Sequence, residues 1–241
     1  MPRYFIEVSY KGTAYSGFQI QKNANSVQAE IEKALKIFYK SSFELTGSSR
    51  TDAGVHALQN FFHFDSPEPL TDGVYQLNAI LPDDIVIKWI RQVNATAHCR
   101  FDAIAREYRY YIYHKKDPFI QDRAYYFPYT LDIEKMNLAA KELMHHSDFT
   151  SFSKRNTQVK SFICAIMESK WELQKDGLVY TVKSNRFLRG MVKGLVGTML
   201  RVGKGELSLP GFKEMIESKD SSKANFSVPS SGLFLISVQF E

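Results

Sequence analysis

The chain has 241 residues, of which 44% are hydrophobic, and its formal net charge is +5. This composition is typical of a globular protein with one large domain or two small ones. No stretch approaches the roughly 20 apolar residues needed to cross a bilayer, and the beginning of the chain shows no signal-peptide pattern. We therefore expect a soluble, cytoplasmic protein with no membrane partner.

Metal and disulfide chemistry find no support in the sequence. The two cysteines, Cys99 and Cys164, stand alone without the spacing of a zinc site or a disulfide framework. The six histidines form no ligand set either, and the adjacent pair at 145 and 146 would point apart on a helix. We expect free thiols and no metal.

In the first half of the chain, hydrophobic periodicity predicts a series of strands and helices. Alternation at residues 3–10 predicts a strand with one buried face, and Asn25 or Ser26 is expected to cap a helix whose apolar stripe covers a sheet. The stripe consists of Val27, Ile31, Ala34, Leu35 and Phe38. A short strand should precede a polar loop around residue 50, followed by a strand at 61–65, a helix at 72–81 and a strand at 85–93.

The second half of the chain shows a similar succession of strands and helices. Strands are predicted at 106–114, 162–174, 178–184 and 232–240, and helices at 133–146, at 186–201 and shortly after Pro210. The sequence Asp176-Gly177 between two strand patterns predicts a hairpin.

These elements indicate the α+β class. Helices separated by several strands, without strict βαβ alternation, favour mainly antiparallel sheets with helices packed on them. We predict two similar α+β halves, an N-terminal domain at 1–103 and a C-terminal domain at 104–241. Since no linker marks the boundary, the halves should pack together and leave a cleft between them.

The loop at 46–57 strings small residues around Arg50 and Asp52. Short side chains cannot bury Asp52, and Arg50, two residues away, can keep the carboxylate ionised by charge attraction. An exposed, positioned carboxylate is a candidate nucleophile or base. Taken alone, the run also suits an ordinary polar turn.

Arginine and tyrosine are interleaved between residues 98 and 113 at strand spacing. Period two puts Arg106, Tyr108 and Tyr110 on one face of the predicted strand. Tyrosines that stack on bases while arginines bind phosphate are a common route to RNA contact. An aromatic-rich strand also suits a packed core, and some of these tyrosines should be buried.

Two further basic patches are candidates for phosphate contact. Arg186, Arg189 and Lys193 form one stripe on the predicted helix at 186–201, although such a stripe is also typical of a solvated helix face. The second patch is a polar loop that can reach a phosphate backbone. Its candidate contacts are Lys154, Arg155, Gln158 and Lys160.

Four motifs, in order along the chain, resemble those of the bacterial TruA family of tRNA pseudouridine synthases. They are GSSRTDAGVHA at 47–57, REYRY at 106–110, FLxxMVKxxVG at 187–197 and GLFL at 232–235. The opening SYKGTAYSGFQ at 9–19 is also similar to the start of that family, so the resemblance covers nearly the whole chain.

The resemblance implies a pseudouridine synthase fold and an isomerisation of uridine at positions 38, 39 and 40 of the tRNA, in the anticodon stem-loop. In such enzymes the base detaches, rotates and rejoins the ribose through carbon 5. The resemblance also implies that no cofactor or metal takes part and that the enzyme is a homodimer that binds tRNA across both subunits.

By the same resemblance, Asp52 matches the catalytic aspartate, Tyr108 the active-site tyrosine and Arg50 the arginine associated with base flipping. Lys193 stands where the family usually has an arginine paired with the aspartate, and lysine lacks the bidentate fork. Leu233 would pack beside the target base. The implied tRNA contacts are His98, Arg100, Phe101 and the loop at 154–160. Attack by Asp52 on the ribose or on the pyrimidine ring stays open.

Two other function classes compete with this interpretation. One is an RNA-binding protein that helps tRNA fold and whose chemistry is weak or lost. The other is a carboxylate-dependent glycosidase, which would need a second acid about 5 to 10 Å from Asp52. The loop offers no obvious second acid.

Overall fold

The computed structural model describes residues 1–155 and 159–241, and the predicted contact Gln158 lies outside the described residues. Two compact units make up the described chain. The first unit contains Met1–Ile104 and Phe234–Glu241, and the second contains Ala105–Leu233. The end of the chain thus belongs with the first unit, although the sequence pattern groups 104–241 together.

Both units combine α-helices with strands that pair mainly antiparallel, as the predicted α+β class requires. The described strands are β1 (Arg3–Tyr10), β2 (Thr46–Gly47), β3 (His56–Asp65), β4 (Ile85–Val93), β5 (Ala103–Tyr113), β6 (Tyr125–Tyr126), β7 (Ile166–Gln174), β8 (Gly177–Ser184) and β9 (Leu233–Phe240). The α-helices within the described residues are α1 (Val27–Tyr39), α2 (Val74–Ile80), α3 (Ile133–Glu142), α4 (Met191–Gly203) and α5 (Leu209–Glu217). None of these helices has both the length and the apolar character that crossing a bilayer requires.

In the first unit the strand order is β4-β1-β3-β9, with β2 also paired to β3. Strand β1 is antiparallel to both of its neighbours, whereas β9 pairs with β3 in parallel. The prediction of one buried face for β1 is wrong, because Phe5 and Glu7 on the other face are also buried. Phe5 packs against Phe240, and Glu7 forms an ion pair with Lys88 at 3.2 Å.

Helix α1 begins as its sequence predicts. The Ser26 hydroxyl accepts a hydrogen bond from the Ala29 N–H at 3.2 Å, and it thereby satisfies one of the free N–H groups of the first turn. The predicted stripe is buried at Val27, Ile31, Ala34 and Leu35, while Phe38 is half-buried. The stripe anchors α1 in the first unit.

In the second unit the strand order is β5-β8-β7, and β6 pairs with β5. The predicted hairpin joins β7 to β8. Strand β8, which is central in the strand order of this unit, is buried on both faces. On β8, Tyr180 stacks on Trp171 of β7 with ring centroids 4.9 Å apart. The fully buried Tyr110 lies opposite Tyr180 on the neighbouring strand β5.

Helix α4 begins at Met191 and not at residue 186, so the predicted basic stripe is wrong. Gly190 precedes the helix with φ of +73°, a left-handed conformation that breaks the helical path. Arg186 and Arg189 therefore lie in the segment between β8 and α4, and only Lys193 is on the helix. All residues of α4 except Lys193 and Arg201 are buried, as befits a core helix.

Candidate active site

The loop that carries Asp52 is anchored to two strands of the first unit. The Tyr10 hydroxyl on β1 lies 2.7 Å from the Thr51 hydroxyl. The Asn60 side chain on β3 donates to the Tyr10 hydroxyl at 3.2 Å and to the backbone carbonyl of Ser49 at 2.9 Å. The residues on either side of Arg50 are thus fixed from the interior of the unit.

A second set of contacts holds the loop through its backbone. The Phe18 N–H donates to the Thr51 carbonyl at 3.1 Å, and the Gly54 N–H donates to the Tyr15 carbonyl at 3.3 Å. Between them, Gly17 has φ of +119°, and a Cβ there would lie 3.2 Å from the Thr51 carbonyl oxygen. The segment at 15–18 therefore runs directly against the Asp52 loop.

Two buried hydroxyls of this loop, those of Ser48 and Ser49, have no hydrogen-bond partner among the described residues. An unpaired buried hydroxyl costs about 1–3 kcal/mol. The loop keeps this conformation because its other backbone and side-chain contacts offset that cost.

Asp52 itself is half-buried, and its neighbour Ala53 is exposed. The Asp52 carbonyl accepts from the Val55 N–H at 3.2 Å, which closes a tight turn after the carboxylate. Among the ion pairs of the described residues, none joins Arg50 to Asp52. The charge attraction expected from their spacing is therefore not realised as a direct contact.

Arg50 instead lines a groove of about 250 Å³ in the first unit, together with His98, Arg100 and Phe101. The His98 and Phe101 rings lie 4.2 Å apart, and the Arg100 guanidinium is 5.7 Å from the centre of the Phe101 ring. Phe101 is 73% exposed, so its ring faces solvent at the edge of the groove. The structure thus brings together four residues that the sequence nominated at separate positions.

A buried thiol and imidazole support the turn that carries these side chains. Cys99 donates to the Thr46 carbonyl at 3.2 Å, and its sulfur lies 3.2 Å from Nδ1 of His63. Burial, with smaller electrostatic effects of His98 and Arg3, lowers the pKa of His63 to about 4. His63 is consequently neutral at neutral pH. Sequence patterns do not nominate this pair, because both residues look like ordinary members of a strand and a turn.

In the second unit, Tyr108 and Tyr110 on β5 have different surroundings. Tyr108 is half-buried and packs edge-to-face on Phe187 with ring centroids 5.0 Å apart. Tyr110 is fully buried, donates to the Pro229 carbonyl at 2.7 Å and has its pKa raised by burial. Tyr110 is a core residue, as expected for some of the tyrosines, whereas Tyr108 is partly exposed.

Lys193 is on the first turn of α4 and donates to the Ser230 hydroxyl at 3.4 Å. Near the same turn, the Lys154 N–H donates to the Arg189 carbonyl at 3.0 Å, and the Lys154 side chain passes over Gly190. Lys154, Arg189 and Lys193 therefore surround the beginning of α4.

The remaining nominated residues of the second unit are placed as follows. Arg106 donates to the Asn185 carbonyl at 2.8 Å, and Arg155 forms an exposed ion pair with Asp220 at 3.5 Å. Leu233 is buried, Arg186 is half-buried and Lys160 is exposed. Within the described ranges, no three metal-ligating side chains form a group that could hold a metal ion.

A family model described as tRNA pseudouridine synthase matches residues 6–102 and 139–241 of this chain. The chain is 46% identical to tRNA pseudouridine synthase A of Parabacteroides distasonis, over 100% of this chain and 96% of the relative. It is 45% identical to the protein of the same name from Bacteroides thetaiotaomicron, over 100% of this chain and 91% of the relative. The corresponding protein of Bacteroides fragilis is 47% identical, over 99% and 96%.

These matches cover most of both units, and they define an isomerase. The chain belongs to the tRNA pseudouridine synthase family, and the resemblance inferred from its four motifs is confirmed.

Proposed function

We propose that this protein isomerises uridine to pseudouridine at positions 38, 39 and 40 in the anticodon stem-loop of tRNA, with Asp52 as the nucleophile on a flipped-out uridine. The observation that carries the proposal is the anchored loop around Asp52. Hydrogen bonds from both of its flanks fix the backbone, while the carboxylate itself is left half-buried.

The reaction needs no co-reactant, because every atom of the product comes from the substrate. The bond between ribose C1′ and uracil N1 breaks, C1′ bonds to carbon 5, the proton on carbon 5 leaves and N1 gains a proton. A carboxylate suits this sequence, since it can form a covalent bond to the substrate and then leave again as a stable anion. Asp52 would do this by attacking either the ribose or the uracil ring.

Tyr108 is proposed to stack on the target base and to act near the proton that leaves carbon 5. Its partly exposed ring, held by Phe187, is consistent with both roles. Lys193 supplies a positive charge for the Asp52 carboxylate, and Leu233 packs beside the base. Lysine replaces a bidentate pair with a single point charge, so it orients the carboxylate less firmly than arginine would.

Flipping a base out of a stem costs unstacking energy, and a side chain that fills the vacated space offsets that cost. We assign this role to Arg50, and we assign tRNA contacts to His98, Arg100 and Phe101 in the same groove. The remaining proposed contacts belong to the second unit, and only Gln158 among them lies outside the described residues. They are Arg106, Lys154, Arg155, Gln158, Lys160, Arg186 and Arg189.

We also propose that two chains form a homodimer in the cytoplasm. The modest charge of +5 per chain would then be doubled over one tRNA, which strengthens long-range attraction. Sedimentation equilibrium tests the assembly, and a monomer mass at enzyme concentrations that support turnover would rule out the dimer.

The deciding experiment measures pseudouridine at each position of unmodified tRNA transcripts that carry uridine at 38, 39 or 40. Asp52→Ala should abolish the product and leave tRNA binding nearly intact. Asp83→Ala, which removes an exposed carboxylate of the same unit, is the matched control and should keep full activity. Turnover that survives in Asp52→Ala would refute the nucleophile. Tight tRNA binding without product from the native protein would favour the RNA-binding alternative.

A further inference from the structure

The Asp52 loop rests on a buried polar network of three side chains from three elements. Tyr10 lies on β1, Asn60 on β3 and Thr51 in the loop itself, next to Asp52. Their exposed fractions are 5%, 0% and 7%. Side chains this deeply buried must satisfy their polar groups by hydrogen bonds within the protein.

The hydrogen-bond directions in this network follow from Asn60. Its Oδ1 accepts from the Phe61 N–H at 2.9 Å, which identifies the other end of the amide as the donor. Both hydrogens of that amide are used, one on the Tyr10 hydroxyl and one on the Ser49 carbonyl. The Tyr10 oxygen thus accepts from Asn60, and the Tyr10 hydroxyl shares a second hydrogen bond with the Thr51 hydroxyl at 2.7 Å.

We propose that Tyr10 is a positioning residue for Asp52. Its hydroxyl holds the side chain of Thr51, the residue bonded directly to Asp52, and Asn60 holds Tyr10 in the orientation that this requires. Tyr10 does not touch the substrate. It acts by fixing the backbone from which the Asp52 carboxylate projects, and the proposal rests on Asp52 being the nucleophile.

The geometric demand on such a loop is strict. Attack by a nucleophile needs the reacting atoms within about 3–3.5 Å, and a displacement of about 1 Å can lower the rate by roughly a hundredfold. Thr51 and Asp52 are joined by one peptide bond, so a rotation of the Thr51 backbone displaces the Asp52 side chain. The hydrogen bond from the rigid strand β1 restrains that rotation.

The test is Tyr10→Phe, which keeps the ring and removes only the hydroxyl. We expect single-turnover pseudouridine formation to slow by roughly tenfold or more, with the Kd for tRNA nearly unchanged. Thr51→Val, which removes the other hydroxyl at similar volume, should give the same slow rate. The double variant should be no slower than either single variant. Thr51→Ser, which keeps the hydroxyl, should react at the native rate.

Tyr4→Phe provides the matched control. Tyr4 is on the same strand and similarly buried, but its hydroxyl accepts a hydrogen bond from the Leu70 N–H at 3.0 Å, in the segment between β3 and α2. A merely structural role would make Tyr4→Phe and Tyr10→Phe alike, with lower thermal stability and a native rate in the folded fraction. A native rate in both Tyr10→Phe and Thr51→Val, with Asp52→Ala inactive, would overturn the positioning role alone. An active Asp52→Ala would instead remove the proposed function on which it rests.

Discussion

His63 is a histidine that the fold keeps uncharged. It lies inside the first unit, beside the Cys99 thiol and the ring of His98, with Arg3 nearby. Burial penalises the imidazolium, and electrostatic interactions with His98 and Arg3 add to that penalty, so the pKa of His63 falls to about 4. A neutral His63 therefore adds no positive charge beside a groove that Arg50 and Arg100 already line.

The low pKa of His63 predicts how the stability of the protein depends on pH. The pKa is about 4 in the folded state and 6.5 for an unperturbed histidine, so only the unfolded chain binds a proton between these values. Protonation then favours unfolding, and the contribution of His63 is complete above pH 6.5 and is lost as the pH falls to about 4. The full loss is on the order of 3 kcal/mol.

Urea unfolding measured at several pH values checks this prediction. His63→Asn should flatten the dependence of the unfolding free energy on pH within the window, whereas His145→Asn, at an exposed site, should leave it unchanged. Asp65 has a pKa lowered by Arg3 below its ordinary 3.8, so its own loss of stability occurs at lower pH. Equal slopes for native protein and His63→Asn would show that His63 titrates normally.

At the scale of elements, an asparagine on a helix protects the outer strand of each unit. Asn78 on α2 donates to the Ile87 carbonyl and accepts from the Ile87 N–H on β4, both at 2.8 Å. Asn137 on α3 does the same with Trp171 on β7, at 3.0 and 2.8 Å. Since β4 and β7 end their strand orders, these amides occupy backbone groups that would otherwise be open to pairing.

Asn137→Ala should therefore weaken the second unit at its outer strand. The change leaves the Trp171 N–H and carbonyl without their protein partner, which should cost about 1–3 kcal/mol. Urea unfolding should show the loss, and hydrogen exchange should show faster exchange at the Trp171 amide. Leu138→Ala, at the exposed neighbouring position of α3, is the control and should change neither. Native exchange at Trp171 in Asn137→Ala would mean that the amide does not protect the strand.

Elements whose signals are local follow from the sequence. The apolar run at 85–93 predicts β4 to the residue, and the cap at Ser26 predicts the first turn of α1. The beginning of α4 does not follow, because the residues before Gly190 fit a helical pattern and only the left-handed backbone of Gly190 ends it. The parallel pairing of β9 with β3 joins residues far apart in the chain, and no local pattern shows it.

The residues of the candidate site also fall into two groups, those with a local sequence signal and those without one. The unusual composition of the loop nominates Asp52 and Arg50 in the sequence. That composition predicts an exposed carboxylate, whereas Asp52 is half-buried. Tyr10 and Asn60 carry no such signal, since a tyrosine and an asparagine in strands have no special meaning until β1 and β3 pair. Long-range pairing therefore reveals the support of the loop, while local composition reveals only the loop.

At the scale of the whole molecule, a net charge of +5 is small for a protein that binds a polyanion, so the placement of charge matters more than its sum. Arg100 and Phe101 are adjacent and exposed in the groove of the first unit. In the proposed tRNA contact, Arg100 would bind a phosphate and the Phe101 ring would stack on a base. Salt can distinguish the two contributions, because ions screen the first and not the second.

The logarithm of the association constant for tRNA should fall linearly as the logarithm of salt concentration rises, since each phosphate contact releases counterions. Arg100→Ala should reduce the magnitude of that slope by about one. Phe101→Ala should weaken binding by about 1–3 kcal/mol at every salt concentration and leave the slope unchanged. Fluorescence titration of labelled tRNA at several salt concentrations measures both quantities. Parallel lines for native protein and Arg100→Ala would place Arg100 away from the phosphates, and an unchanged affinity in Phe101→Ala would mean that no base stacks on its ring.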